Sequence, residues 1–229
     1  MERALGVNWN IVTDEFGFKV TVKEKPLTRR GIVSIISSVY DPLGFTAPFL
    51  LPAKILMQDL SRSNLAWDDP LESKHATRWN VWLNELPKIQ QLSVKRCVKP
   101  PNPERILSTQ LHNFADASQS GYGAVSYLRF KDENGNIYCS FVMGKSRVAP
   151  IKETTIPRLE LSAAVVATRL DRMIRNESDL NIDRSIFWTD STCVLSYLTS
   201  TSKRFKTFVA NRVATSGEAS GHASHAQHD

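Results

Sequence analysis

Leu111-His112-Asn113-Phe114-Ala115-Asp116-Ala117-Ser118 reads as the end of an apolar strand that stops on a carboxylate. Two other acids share that setting: Glu160 in Pro157-Arg158-Leu159-Glu160-Leu161, and Asp190 in Phe187-Trp188-Thr189-Asp190-Ser191. Each lies where a strand ends or a helix begins, inside otherwise apolar sequence. A carboxylate is expensive to bury there unless something cationic meets it. Three of them in one α/β unit predict a shared divalent metal site, and with it phosphodiester chemistry.

The sequence around Asp116 supplies the elements. Residues 106–117 read as a strand, Gly121-Tyr122-Gly123 as a tight turn, and 124–130 as a second strand. Residues 132–136 form a loop and 137–143 a third strand, so short joins make an antiparallel meander. A helix is expected from Pro157, a residue suited to a first helical position. Its apolar stripe is Leu159, Ala163, Val166, Leu170 and Met173. A short buried strand follows at 185–189, and Ser191 caps a further helix carrying Val194, Leu195 and Leu198. The fold class is therefore α/β: a mixed sheet of three antiparallel strands plus one parallel strand, with flanking helices.

If the first and fourth strands are neighbours, Asp116 and Asp190 emerge at one sheet edge and the crossing helix brings Glu160, in its first turn, between them. Ligands of open α/β sheets collect at such carboxyl edges. Oxygen-only ligation suits Mg²⁺ or Mn²⁺. Two such ions about 4 Å apart activate water and stabilise the leaving oxygen of an in-line displacement. Taken singly, each acid has a structural explanation, as a helix cap or a partner of the helix dipole. The trio in this strand order points to the metal.

Upstream, residues 1–23 alternate as a β-hairpin around Thr13-Asp14-Glu15, and 27–66 read as mostly helical. Tyr40-Asp41-Pro42-Leu43-Gly44 interrupts that helix, and a third helix spans roughly 70–86, with Trp79, Trp82 and Leu86 packing a core. Pro100, Pro101 and Pro103 mark a linker. Residues 1–105 are thus expected to form a small, mostly helical α+β region, and 106–213 the α/β domain. The Ala/Ser/Gly/His tail at 214–229 is expected to be disordered, and too frayed for His222, His225, His228 and Asp229 to hold a metal.

The 229 residues carry a net charge of +6, which hints at an anionic partner. Lys145, Arg147 and Lys152, followed by Lys203, Arg204, Lys206 and Arg212, fall in the half that holds the three acids. The first three are the candidate contacts to a phosphate backbone. The longest apolar run, near 48–57, is broken by Pro52 and Lys54, so no membrane span is expected. Cys97, Cys139 and Cys193 read as thiols of a reducing compartment. With no secretory signal layout, the expected location is intracellular, cytoplasmic (in a virus-like particle) or nuclear.

Phe114-Ala115-Asp116-Ala117-Ser118, Gly121-Tyr122-Gly123-Ala124, Pro157 to Leu161 and Trp188-Thr189-Asp190-Ser191 resemble the ribonuclease H domain of retroelement polyproteins. Ala4-Leu5-Gly6-Val7-Asn8-Trp9-Asn10 and Ser37 to Pro48 resemble the Pao/BEL class of LTR retrotransposons. The resemblance covers about residues 3–213. It implies a Pol polyprotein fragment, with residues 1–105 a reverse-transcriptase thumb or connection region and 106–213 a ribonuclease H-like domain. Asp116, Glu160 and Asp190 would ligate the metal ions, and the reaction would be cleavage of RNA in an RNA–DNA hybrid. Its partners would be that hybrid or another nucleic acid and the remainder of the polyprotein. Such a site reads duplex shape and 2′-hydroxyls rather than sequence.

Two departures qualify the resemblance. Polymerase catalysis in the family needs Tyr-x-Asp-Asp, whereas Tyr40-Asp41 is followed by Pro42, so no polymerase activity is expected. The family's fourth carboxylate, usually with a nearby His, lies on a helix after the last strand, and the resemblance stops near Val213. The domain reads as C-terminally truncated, leaving a weak or inactive nuclease, or a non-catalytic nucleic-acid-binding scaffold, as the alternatives. The same segment of Pao elements also carries a peptidase family name. Asp116-Ala117-Ser118 and Asp190-Ser191-Thr192 lack the glycine of an aspartic protease, so proteolysis is not expected behind that name. His112, on the first strand of this domain, reads as a hydrogen-bonded sheet residue.

Overall fold

The computed structural model describes residues 2–4, 7–20, 24–101, 105–199 and 223–226. The chain divides into two compact units, Met1–Cys97 and Val98–Asp229.

In the first unit, strands β1 (Glu2–Ala4), β2 (Val7–Asn10), β3 (Glu15–Gly17) and β4 (Ser93–Lys95) form an antiparallel sheet in that order. The expected hairpin is the β2–β3 pair. Helices α1 (Arg29–Ile36), α2 (Ala47–Arg62) and α3 (Ser73–Glu85) follow, with a 3₁₀ turn at Leu86–Gln91. Thr28 starts α1 by accepting the Gly31 N–H at 3.2 Å. Trp79 and Trp82 are buried and stacked, and the Trp82 indole donates to the Phe49 carbonyl at 2.9 Å. Core packing is therefore their role.

The Tyr40 to Gly44 break has a local cause. Asp41 accepts from the N–H groups of Gly44, Phe45 and Thr46 at 2.7–2.9 Å, and from the Thr46 hydroxyl. Gly44 supplies the positive φ of 82° that the turn needs. Asp41→Ala would orphan these donors at the start of α2. It is expected to cost about 1–3 kcal/mol in urea unfolding.

The second unit is a five-stranded sheet in the order β7-β6-β5-β8-β9. Strands β5 (Ile106–Ala117), β6 (Gly121–Asp132) and β7 (Ile137–Val148) are the antiparallel meander. Helix α4 (Ile156–Glu177) crosses over to β8 (Arg184–Trp188), which pairs parallel with β5. Helix α5 (Thr192–Thr199) starts at Ser191, whose hydroxyl accepts the Val194 N–H, and it packs on α4. Leu159, Ala163, Val166, Leu170 and Ile174 of α4 are buried, and α4 contacts β5 and β6.

Several expectations are corrected. The unit boundary falls before the prolines. Val98 packs against the buried cluster of Leu111, Leu128 and Phe130, and its carbonyl accepts the Ser140 hydroxyl at 2.7 Å, which ties this stretch to the second unit. Gly121 to Gly123 is the start of β6 and not a turn; the turn lies at 118–120, where the Ser118 side chain serves the N–H groups of Ser120 and Gly121. β7 runs on to Val148, because Gly144 to Val148 continues the pairing with β6 beyond an irregularity near Met143. Met173 is 39% exposed while Ile174 joins the cluster of Leu111, Leu128 and Ile182, so the last turn of α4 faces that cluster. In the tail expected to be disordered, Ala223–Ala226 forms strand β9, parallel to β8. Lys203, Arg204, Lys206, Arg212 and the side chains of the histidine-rich end lie outside the described residues. Among the described residues, no helix is long and apolar enough to cross a membrane.

Candidate metal centre

Parallel pairing puts the first two acids at one sheet edge. Phe114 pairs with Trp188, and Asp116 and Asp190 each lie two residues further along. Helix α4 lies across β5 and β6, and its fifth residue is Glu160, just past the first turn and not within it. One carboxylate oxygen from each of Asp116, Glu160 and Asp190 lies within 4.8 Å of the others. The spacing suits a common cation.

The electrostatics are strained without one. Asp116 and Asp190 are exposed, whereas Glu160 is 7% exposed. Burial pushes the Glu160 carboxyl up to about 7, and the charges of Asp116 and Asp190 add to that rise; the Ala117 N–H opposes it. Glu160 Oε2 is buried with no hydrogen-bond partner. Buried polar atoms are normally paired, so this orphan oxygen marks where a cation would complete the site. Three hard oxygen donors fit Mg²⁺ or Mn²⁺.

The basic residues fall around this edge. Asp116 pairs with Gly123, and Gly123 with Ser146, so Lys145 and Arg147 flank the same level two strands away, about 10 Å. They pair with Ala124 and Tyr122, which pack towards α4, and both are exposed. Lys152 is exposed in the bend before α4. Gly123 holds these strands close: a Cβ there would lie 2.7 Å from the Lys145 carbonyl oxygen. Gly123→Ala is expected to cost about 1–3 kcal/mol by thermal or urea melting, through overpacking against backbone.

Two groups escape a reading of the sequence. One is a buried polar network of Asn113, Ser126, Asp171, Ser185 and Arg175 beneath the sheet. The other is an aromatic row on the face away from α4, signalled only by the alternation of His112, Phe114 and Asp116. His112 is, as expected, a hydrogen-bonded sheet residue: the Trp188 indole donates to its Nδ1 at 3.0 Å. Nε2 therefore carries the proton and faces Gln110 Oε1 at 3.2 Å.

A mixed sheet in this strand order, crossed by one helix and edged by three carboxylates, defines a ribonuclease H-like α/β protein. The chain belongs to the Pao retrotransposon-like RNaseH-like domain family, whose model matches residues 28–191. Solved structures similar to it include RNase H1 of the halophilic archaeon Halobacterium salinarum. That match has 14% identity and a TM-score of 0.34, over 52% of this chain and 86% of that one. LC11-RNase H1 in complex with an RNA/DNA hybrid is 13% identical with a TM-score of 0.35, over 53% and 85% of the two chains. A foamy viral protease-reverse transcriptase in complex with double-stranded DNA is 13% identical with a TM-score of 0.32, over 90% of this chain and 35% of that one. No curated protein matches the chain.

Proposed function

We propose that the chain is a Pol polyprotein fragment whose second unit is a metal-dependent ribonuclease H acting on the RNA strand of RNA–DNA hybrids. The observation that carries this reading is the convergence of Asp116, Glu160 and Asp190 around the orphaned Glu160 oxygen. Mg²⁺ or Mn²⁺ held there, as one ion or two, would activate water and stabilise charge on the phosphate oxygens. Asp116 and Asp190 hold the exposed side of the centre, where a phosphodiester approaches. Glu160 would hold the inner side, binding a cation as the deprotonated carboxylate. Lys145, Arg147 and Lys152 neutralise neighbouring phosphates and position the duplex without reading sequence. The first unit would be the reverse-transcriptase-derived connection region, and it needs no active site for this role.

A second reading rests on one count. Among the described residues the cluster holds three carboxylates, where the family's ribonuclease H uses a fourth. The domain would then bind nucleic acid as a scaffold with little or no hydrolysis. A labelled RNA–DNA hybrid incubated with Mg²⁺ or Mn²⁺ separates the two. Cutting by the wild type that disappears in Asp116→Asn and Asp190→Asn supports the nuclease. Salt-sensitive binding without cutting in either metal supports the scaffold.

A further inference from the structure

The three carboxylates of the centre are not tethered alike. Asp116 Oδ1 accepts the N–H of Ala117 at 2.7 Å, and Glu160 also accepts from that N–H. The sheet leaves this donor to the acids. Ser118 gives its N–H to the Gly121 carbonyl at 2.8 Å, and residues of an antiparallel strand point to their partner strand alternately, so the Ala117 N–H faces away from β6. On that other side β8 ends at Trp188, opposite Phe114, and does not reach Ala117. Asp190 has no such donor. It lies two residues past the last pair of β8, is exposed, and among the described residues its carboxylate accepts no hydrogen bond.

Hydroxyls on either side hold the backbone of Asp190 instead. Thr189 Oγ1 accepts the Ser191 N–H at 3.2 Å, a bond that spans Asp190. Ser191 Oγ accepts the Val194 N–H at 3.3 Å, and the Ser191 carbonyl accepts the Leu195 N–H at 3.2 Å, which fixes residue 191 to the start of α5. Val194 is fully buried and seats that turn of α5 in the core. The tether matters because the three carboxylates, with oxygens within 4.8 Å of one another, repel until a cation joins them. Of the three, Asp190 is the one whose side chain has no bond of its own to resist that repulsion. Glu160, 7% exposed with Oε2 unpartnered, points independently to a cation at this spot.

We propose that Thr189 is a positioning residue of the metal centre: its hydroxyl, with the Ser191 anchor, keeps Asp190 within reach of the cation that Asp116 and Glu160 share. This role rests on the proposed reading of the trio as a metal centre and does not depend on hydrolysis. Thr189 bonds the backbone beside Asp190 and not the cation, so its loss changes where one carboxylate lies and leaves all three donors in the chain.

Calorimetric titration of Mn²⁺ into the full chain, above the Glu160 value of about 7, tests this role beside thermal melts in EDTA. Wild type is expected to bind Mn²⁺, and Asp190→Asn to lose most of that binding. Thr189→Val keeps the shape of the side chain and removes the acceptor. It should weaken Mn²⁺ binding by about 10- to 100-fold, the range for a lost partner of a metal ligand, with a melt in EDTA close to that of wild type. Thr189→Ser restores the hydroxyl and should return the affinity. Ser191→Ala should weaken Mn²⁺ binding and also lower the melt, since it removes the cap of α5. With binding still lost in Asp190→Asn, unchanged affinity in Thr189→Val, or an equal loss in Thr189→Ser, would overturn the positioning role alone. A Thr189→Val melt that falls as far as that of Ser191→Ala would also overturn it and assign the hydroxyl to the fold. A wild type that takes up no Mn²⁺, or whose binding survives Asp190→Asn, would sink the metal reading and this role with it.

Discussion

Glu160→Gln is expected to stabilise the metal-free protein at pH 8 and to abolish its stabilisation by Mg²⁺ or Mn²⁺. The Glu160 carboxyl rises from the ordinary 4.5 to about 7 in the folded chain, because it is buried beside Asp116 and Asp190. A carboxyl raised in this way favours folding fully below its unfolded value, and that contribution is lost as pH rises through about 7. The metal-free protein should therefore lose stability between pH 4.5 and 8, by roughly 3 kcal/mol at most, since each tenfold weakening of an acid corresponds to about 1.4 kcal/mol. Removing the charge removes this loss, less whatever the new amide costs at the unpaired Oε2 position. Bound cation reverses the sign. It binds only the deprotonated trio, so the rise in melting temperature on adding metal should be small at pH 6 and large at pH 8. Thermal melts of wild type and Glu160→Gln at both pH values, with and without metal, decide the matter. A metal-induced rise that survives in the variant, or that shrinks from pH 6 to pH 8, would remove Glu160 from the centre.

The legible and the hidden parts of this molecule differ for a physical reason. Asp116, Glu160 and Asp190 stand out because a carboxylate at the end of an apolar stretch breaks the hydrophobic pattern, and the strand order follows from loop lengths and one crossover helix. The β5 bounds are readable from alternation alone. β7 reads too short because its last five residues are mostly polar or small, and what holds them in the sheet is pairing with β6, a tertiary fact. Gly121 and Gly123 read as turn residues, since glycine most often signals positive φ. Gly123 instead serves a close approach of backbones. Asp171 and Asn113 are inconspicuous in the sequence because Asp171 lies among Arg169, Arg172 and Arg175, as a solvated helix residue would, and only the packed helix shows that they face each other. The aromatic row is likewise hidden: its members lie on four strands and meet only through register.

Asp171→Ala should cost about 3–5 kcal/mol, the usual penalty for breaking a buried charge network, and should disable the candidate site from a distance. Asp171 is 4% exposed, and its Oδ1 accepts from Asn113 Nδ2 at 3.0 Å and from the Ser185 hydroxyl. Asn113 Oδ1 accepts the Ser126 hydroxyl at 2.6 Å. Arg175, one turn on, donates to Ser185 Oγ at 2.9 Å and to the Ile182 carbonyl at 3.1 Å. One carboxylate thus joins α4 to β5 and β8 directly, and to β6 through Asn113. Its removal leaves the Asn113 amide and the Ser185 hydroxyl under-satisfied beneath the sheet, where no water replaces them cheaply, and takes the acidic partner from the half-buried Arg175. Ser126→Ala removes only a peripheral donor and should cost about 1–2 kcal/mol. The network also fixes how α4 lies on the sheet, and Glu160 is carried by the same helix. Asp171→Ala should therefore weaken metal-dependent stabilisation even at temperatures where the chain stays folded, although Asp171 is no part of the carboxylate cluster. Urea unfolding with a loss below about 1 kcal/mol would show that apolar packing of α4 alone sets its position.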